Sequence, residues 1–201
     1  MLPRFDGPTL AQATRTGAIT CEQAGAILAT LCLAVHKTRP PPNALSLREA
    51  MDARLRVGGS VLPEHIITGV LALIEHLAPD DVPCHSDLHP GNVIMTAQGP
   101  RLIDWLGAAR APADYEIAQC HVLLAELDPE HADDPERATV NSALQAEYAR
   151  LAGISPAVLT AAMQRYLPIV RVFLLFGGAM PDEEMRERLI QRVEAALRAE
   201  R

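Results

Sequence analysis

The sequence predicts an α+β protein that is predominantly helical, with one small β-hairpin near its middle. Apolar residues make up 49% of the 201 residues and aromatic residues only 3%, so Leu, Ala, Val and Ile must build the core. Ala and Leu head the helix scale, and apolar residues recur at helical spacing over most of the chain. The stretch 83–92 has no helical period and is dense in polar groups. These observations favour a helical body interrupted by one short irregular segment.

Capping boxes mark the start of the first two predicted helices. Thr20 with Gln23 opens a helix over 21–36, and Ser46 with Glu49 opens a shorter one. Residues 1–19 are expected to be an extended, hinge-like lead-in. The remaining predicted helices are one that begins with Pro63 at its first position and extends to Leu77, and four more at 114–127, 135–152, 156–176 and 182–199.

Two short strands are predicted on either side of a turn-rich connection. Val93–Met95 and Arg101–Ile103 are apolar enough for strands, and the intervening Thr96–Pro100 is typical of a hairpin. The hairpin matters because it folds the chain back on itself. It would bring the residue after the second strand close to the residue before the first.

Charge and cysteine usage exclude several classes of function. The net charge is −7 with no basic stripe, so no nucleic-acid partner is expected. The four cysteines form no CxxC pair, which predicts reduced and mostly buried thiols. The apolar stretch 169–180 contains Arg171 and two glycines, and it is too interrupted to cross a bilayer. With no signal-peptide pattern at the start, the sequence predicts a cytoplasmic protein without a membrane partner.

One polar cluster carries chemistry: residues 85–92, followed by residues 103–105. Asp87 and Asn92 are five residues apart, and the hairpin can return Asp104 beside Asn92. Oxygen ligands of this kind suit Mg²⁺ bound to phosphates. The order His85, Asp87, Asn92, Asp104 matches the phosphoryl-transfer pattern H-x-D-x-x-x-x-N with a later metal-binding Asp.

The stretches CHSDLHPGNVIM and GPRLIDW resemble the aminoglycoside phosphotransferase / choline kinase-like family. In that family the loop reads H-G-D-x-H-x-x-N and the metal motif reads I-D-W or I-D-F. The resemblance implies that Asp87 is the catalytic base and that Asn92 and Asp104 bind Mg²⁺ and, through it, the ATP cofactor. It also implies that His85 and His89 support the catalytic loop. The implied partner is a small molecule with a hydroxyl group, such as an aminoglycoside or another alcohol.

The resemblance covers roughly residues 1–125 and implies a protein-kinase-like C-lobe over 20–201, with the catalytic loop at 84–92 and the metal motif at 103–105. Two departures stand inside it. Ser86 replaces a glycine, which would cost about 1 kcal/mol if the position needs a positive φ. Glu116 replaces an aspartate and is expected to shift a structural hydrogen bond.

The family's N-terminal lobe is not found in these 201 residues. The sole lysine, Lys37, follows a helix and cannot be a strand lysine, and no G-x-G-x-x-G occurs. The stretch 1–10 is similar to the family's hinge, so Met1 is expected to be an internal methionine of a longer, active chain. The alternative is a truncated, non-catalytic domain that binds a ligand or partner. An N-lobe from elsewhere, or self-association, would then cover its exposed face.

Other interpretations of polar residues are weaker. A zinc site from Cys84, His85 and His89 would need a helix that Pro90 opposes. The acidic run 128–136 is more typical of a solvated loop than of a site for a cationic acceptor. The remaining histidines are expected to be surface or hydrogen-bonded helix residues: His36, His65, His76, His121 and His131.

Overall fold

The computed structural model describes residues 4–58, 62–76, 82–126, 134–176 and 183–199. Within them the chain is mostly helical, as the sequence predicts, and it has four short strands where the sequence predicts two. The helices are α1 (Leu10–Arg15), α2 (Cys21–His36), α3 (Leu47–Gly58), α4 (Glu64–Glu75), α5 (Ala113–Ala125), α6 (Pro135–Ala152), α7 (Pro156–Gln164), α8 (Leu167–Leu175) and α9 (Glu183–Ala199). The strands are β1 (Val82–Cys84), β2 (Val93–Thr96), β3 (Gly99–Leu102) and β4 (Ala109–Ala111).

The helical body is built around the contact between α2 and α6. Gly25 permits this contact, because a Cβ placed there would lie 2.5 Å from the Val140 carbonyl oxygen. Around this contact, α5 and α8 bury apolar side chains from several directions, including Ile117 and Ile169, both fully buried. Burial of apolar surface is the main favourable term in folding. Helix α8 is buried along most of its length.

The predicted hairpin is present as β2 paired with β3, with Val93 opposite Leu102. A second antiparallel pair, between β1 and β4, was not predicted. It places Val82 opposite Ala111 and Cys84 opposite Ala109. This second pair closes the base of the segment 85–108, which contains the whole polar cluster.

The expectation of an extended lead-in was wrong for residues 10–15, which are helical. Residues 10–15 form α1, and Thr9 caps it through a capping box with Gln12. Thr9 also bridges to Ile94 of β2, and the Met95 amide donates to the Pro8 carbonyl. Pro8 and Thr9 of the lead-in are therefore hydrogen-bonded to strand β2 of the hairpin.

The prediction of one helix over 156–176 was also wrong. The chain breaks into α7 and α8, which bend by 52°. Pro168 lies in the first turn of α8 and has no N–H to donate to the carbonyl four residues earlier, which ends α7. Within the described residues no single helix is long and apolar enough to cross a membrane, although α7 and α8 together reach that length and composition.

The predicted helix starts that fall within the described residues agree to within one residue, whereas α1 and the separate start of α8 were not predicted. The predicted capping boxes at Thr20 and Ser46 are both formed. Pro63 is the N-cap of α4 rather than its first residue. Some predicted features lie outside the described residues: Met1, Leu77, His131, most of the acidic run 128–136, and the ends of the predicted helices at 127 and 182.

Candidate active site

The loop at 84–92, which the sequence predicts to be the catalytic loop, begins where β1 ends, with Ser86 in a left-handed conformation at φ 62°. The sequence raised this possibility because a glycine is usual at this position in the family. Ser86 is buried, and its hydroxyl has no hydrogen-bond partner. The local backbone is therefore strained at the entrance to the loop.

Asp87 and Asn92 are joined directly. The Asn92 Nδ2 atom donates to the Asp87 backbone oxygen and to Asp87 Oδ2, both at 2.9 Å. Because the amide has only two N–H groups, both are used, and this fixes the orientation of the side chain. The Asn92 side-chain oxygen is then the atom of this amide that remains available to bind a cation or accept a hydrogen bond. Asp87 itself stays accessible, with 43% of its side chain exposed.

His89 shapes the turn between these two residues. Its Nδ1 accepts a hydrogen bond from the Gly91 amide at 3.1 Å, and its Nε2 lies 3.8 Å from Asp87 Oδ2. Burial lowers the pKa of His89, although the Asp87 charge acts in the opposite direction. An accepting Nδ1 requires the neutral ring with its proton on Nε2, facing Asp87.

His85 connects the catalytic loop to the metal motif. It is fully buried, and its Nε2 donates to the Ile103 carbonyl oxygen at 2.7 Å. Its ring also packs edge-on against Trp105 with centroids 4.7 Å apart. Residues 85 and 103–105 are therefore held together across the hairpin.

Asp104 follows the hairpin in a left-handed conformation at φ 60° and is exposed. The Ile103 amide donates to the Asn92 carbonyl at 2.9 Å, which places the residue before Asp104 against Asn92. Two oxygen donors, an exposed carboxylate and an oriented amide oxygen, are thus presented by neighbouring backbone segments. This donor set fits Mg²⁺, which prefers carboxylate and carbonyl oxygens and keeps several waters.

A cleft of about 580 Å³ opens beside Asp87 and His89. Its other walls come from α1, α5 and α6. Arg15 and Arg137 contribute positive charge, while Asp134 and Glu136 contribute negative charge. A volume of this size fits a small organic molecule.

Glu116 of α5 supports the loop from below, and its importance was underestimated from the sequence. It is 1% exposed; its Oε1 accepts from the Ser86 amide at 2.9 Å, and its Oε2 lies 2.7 Å from His36 Nε2. One turn further along α5, Gln119 donates to the Ser86 carbonyl at 2.7 Å. The backbone N–H and the backbone carbonyl of Ser86 are thus both hydrogen-bonded to side chains of α5. The sequence did contain a signal for this role, because Glu116 and Gln119 are polar residues three positions apart in an otherwise largely apolar helix.

Of the predicted residues, the structure brings Asp87, Asn92 and His89 into one hydrogen-bonded loop. It joins that loop to the segment of Asp104 through His85. The alternative zinc interpretation gains no support, because His85 uses its Nε2 on a backbone carbonyl and His89 uses its Nδ1 on a backbone amide.

Comparison with known proteins identifies a matching family and a similar structure. Residues 3–154 match the model of the phosphotransferase enzyme family. A Plasmodium vivax ethanolamine kinase has a similar structure, with a TM-score of 0.57 at 14% sequence identity. The match covers 97% of this chain and 63% of the ethanolamine kinase, so this chain spans less than two thirds of its relative. Among curated proteins, none matches the sequence.

The family match extends over both the catalytic loop and the metal motif, and over most of the helical body as far as α6. The structural likeness, at this low identity, bears on the fold alone. With its kinase-like α+β fold, this chain belongs to the phosphotransferase enzyme family.

Proposed function

We propose that the protein transfers the γ-phosphate of ATP to a hydroxyl group of a small molecule. The observation that carries this proposal is the position of Asp87. Its carboxylate is fixed by Asn92 on one side and is exposed on the wall of a cleft on the other. A hydroxyl group bound in the cleft could donate to it directly.

Asp87 acts as the base in this proposal. The acceptor hydroxyl oxygen forms a bond to the γ-phosphorus, the bond from that phosphorus to the β,γ-bridging oxygen breaks, and ADP leaves. The hydroxyl proton passes to the Asp87 carboxylate. Phosphoryl transfer asks little covalent chemistry of the protein, so orienting the acceptor is the main task of the residue.

Asn92 and Asp104 would hold the magnesium ion with their side-chain oxygens. Bound Mg²⁺ supplies neutralisation of the charge on the transferring phosphate. His85 and His89 would act as supports. His85 keeps the segment of Asp104 against the loop, and His89 holds the turn that leads from Asp87 to Asn92.

The walls of the cleft favour an acceptor with both polar and charged groups. Arg15 and Arg137 face the same space as Asp134 and Glu136, so aminoglycoside-like compounds and other polar alcohols belong in the first acceptor panel. Because ATP and Mg²⁺ serve as cofactors, we place the reaction in the cytoplasm.

The test is an assay of phosphate transfer from ATP to a panel of hydroxyl compounds in the presence of Mg²⁺. Transfer is measured by the release of ADP and by mass spectrometry of the product. Asp87→Asn should lower turnover by about 10²- to 10⁴-fold, because the proton acceptor is lost. Asp52→Asn, on α3 and outside the cleft, is the matched control and should keep wild-type turnover. Undiminished turnover in Asp87→Asn would overturn the assignment of the base.

The assay should use both the 201-residue chain and the protein isolated from its own cells. The intact mass of the native protein decides which form is complete: a species heavier than 21.7 kDa would be assayed in full. If neither form binds ATP with Mg²⁺ in calorimetry, the non-catalytic alternative replaces the proposed transfer.

A further inference from the structure

A second cluster of metal-binding side chains lies beneath the catalytic loop, within the helical body. Cys32 and His36 are one turn apart on α2, and Glu116 faces them from α5. All three are buried, with exposures of 0%, 7% and 1%. Their ligand atoms lie within 4.8 Å of one another.

Two of the three distances in this cluster match those of a coordination shell. Cys32 Sγ lies 3.5 Å from His36 Nε2 and 3.6 Å from Glu116 Oε2. In a tetrahedral zinc site, bonds of about 2.3 Å to sulfur and about 2.0 Å to nitrogen or oxygen put such ligand pairs about 3.5 Å apart. The pair His36 and Glu116 is closer, at 2.7 Å, because a hydrogen bond joins it.

A second thiol and an outer hydrogen-bond partner lie beside these three residues. Cys84 Sγ, at the end of β1, lies 3.9 Å from His36 Nε2. On the other side of the ring, Tyr148 Oη lies 3.0 Å from His36 Nδ1. Metal-binding histidines almost always donate their second ring N–H to such a partner, which fixes the ring and its tautomer.

We propose that Cys32, His36, Cys84 and Glu116 form a buried Zn²⁺ site that fastens α2 and α5 to the end of β1. Two thiolates, an imidazole and a carboxylate are borderline-soft donors that suit Zn²⁺ rather than Mg²⁺. The site differs from the one proposed for phosphoryl transfer, and the inference does not depend on that function.

The proton balance of binding is simple. Each thiol releases its proton to solvent as its sulfur binds the metal. The imidazole stays neutral but carries its proton on Nδ1, where Tyr148 Oη accepts it. Because the thiols lose their protons on binding, both metal affinity and proton release depend on pH.

The site would also fix the catalytic loop. Glu116 Oε2 would bind the metal while Oε1 still accepts from the Ser86 amide at 2.9 Å. A metal ion would hold the carboxylate that in turn holds the strained start of the loop. Its role is structural, and its removal should first lower the melting temperature.

The experiment uses the full 201-residue chain and needs no activity. Metal content is measured after purification, then the metal is removed by chelation under reducing conditions and Co²⁺ is titrated in. We expect about one Zn²⁺ per chain. We also expect the visible bands of tetrahedral Co²⁺, a near-ultraviolet sulfur-to-cobalt band, and a higher melting temperature with Zn²⁺ than without.

Three variants identify the ligands. Cys32→Ser and Cys84→Ser should each weaken the sulfur-to-cobalt band, whereas Cys21→Ser, at the start of α2 and outside the cluster, should leave it unchanged. A further variant, Tyr148→Phe, removes only the outer partner and should weaken Co²⁺ binding by about 10- to 100-fold.

Two results would overturn the proposal. One is a chain without bound zinc that gives no tetrahedral cobalt spectrum. The other is an unchanged spectrum in both Cys32→Ser and Cys84→Ser. If a serine variant does not fold, the wild-type spectrum and Tyr148→Phe still decide the question.

Discussion

The Glu116 carboxylate lies 2.7 Å from His36 Nε2, so the first turn of α5 meets the end of α2 directly under the catalytic loop. The second carboxylate oxygen holds the Ser86 amide. A buried polar group of this kind costs free energy unless every partner is present. The position of the loop therefore depends on the length of the side chain at residue 116.

Shortening that side chain should uncouple the two contacts. Glu116→Asp lacks one methylene and cannot reach both the Ser86 amide and His36, so one buried donor is left unpaired. We expect a loss of about 1–3 kcal/mol, measured by urea unfolding. The matched control is Glu187→Asp on the exposed face of α9, where the free energy of unfolding should stay the same. A Glu116→Asp variant as stable as wild type would contradict this account of the loop.

Relieving the strain at Ser86 should stabilise the protein. A non-glycine residue in the left-handed conformation costs about 1–2 kcal/mol, and Ser86→Gly removes that cost. The greater freedom of glycine in the unfolded chain offsets this gain in stability by a smaller amount. Ser86→Gly also removes the buried, unpartnered hydroxyl. Ser86→Ala removes only the hydroxyl, so it separates the two effects. Chemical unfolding should rank the glycine variant above the alanine variant; the opposite order would show that backbone strain is not the larger cost.

The helix contact at Gly25 should not tolerate a methyl group. A Cβ there would meet the Val140 carbonyl oxygen at 2.5 Å and Ala143 Cβ at 2.6 Å. Gly25→Ala gains about 1 kcal/mol in helix propensity, but overpacking costs about 1–3 kcal/mol. Because the contacts include backbone atoms that cannot move aside, we expect net destabilisation in thermal unfolding. Thr30→Ala, at an exposed position of the same helix, should be neutral or stabilising.

A buried ion pair at the end of α5 predicts a pH dependence of stability. Glu126 is held by Arg171 at 2.8 and 2.9 Å and by Arg192 at 2.8 Å. Burial raises the pKa of Glu126, but the hydrogen bonds and charges of the two arginines outweigh burial and lower it. As the pH falls, Glu126 therefore takes up a proton in the unfolded chain before it does so in the folded protein. The ion pair's contribution to the free energy of unfolding is present above pH 4.5 and is lost as the pH falls through the pKa of Glu126 in the folded protein.

Glu126→Gln should test that contribution. We expect it to cost about 3 kcal/mol at neutral pH, because two arginines lose a buried partner. The difference from wild type should shrink as the pH falls below 4.5. Glu183→Gln removes an exposed ion pair with Arg186 and serves as control, with little effect at any pH. A constant difference between Glu126→Gln and wild type at all pH values would exclude this origin.

Local signals were enough for much of the fold. The capping boxes at Thr20 and Ser46 and the turn 96–100 depend on residues close in sequence, and each gave the correct element. The order of His85, Asp87, Asn92 and Asp104 located the candidate site for a similar reason: one hairpin brings these residues together.

Features that depend on distant residues could not be predicted in this way. The strands β1 and β4 have three residues each and pair across the whole loop, so neither carries a pattern of its own. The cluster of Cys32, His36, Cys84 and Glu116 is assembled from three separate elements. The break between α7 and α8 is different, because a local signal for it was present: Pro168 disfavours a continuous helix. The helical spacing of apolar residues on both sides of Pro168 nevertheless led to the prediction of one helix.

The pairing of β1 with β4 has an evolutionary consequence. All the residues assigned to phosphoryl transfer lie between these two strands, on a loop whose ends are tied together. The helices that follow α5 can therefore diverge, lengthen or be exchanged without altering the spacing of Asp87, Asn92 and Asp104, whereas α5 must keep the side chains that hold Ser86. Under the proposed function, a lineage could then change the alcohol that it recognises while it inherits the segment between β1 and β4 intact.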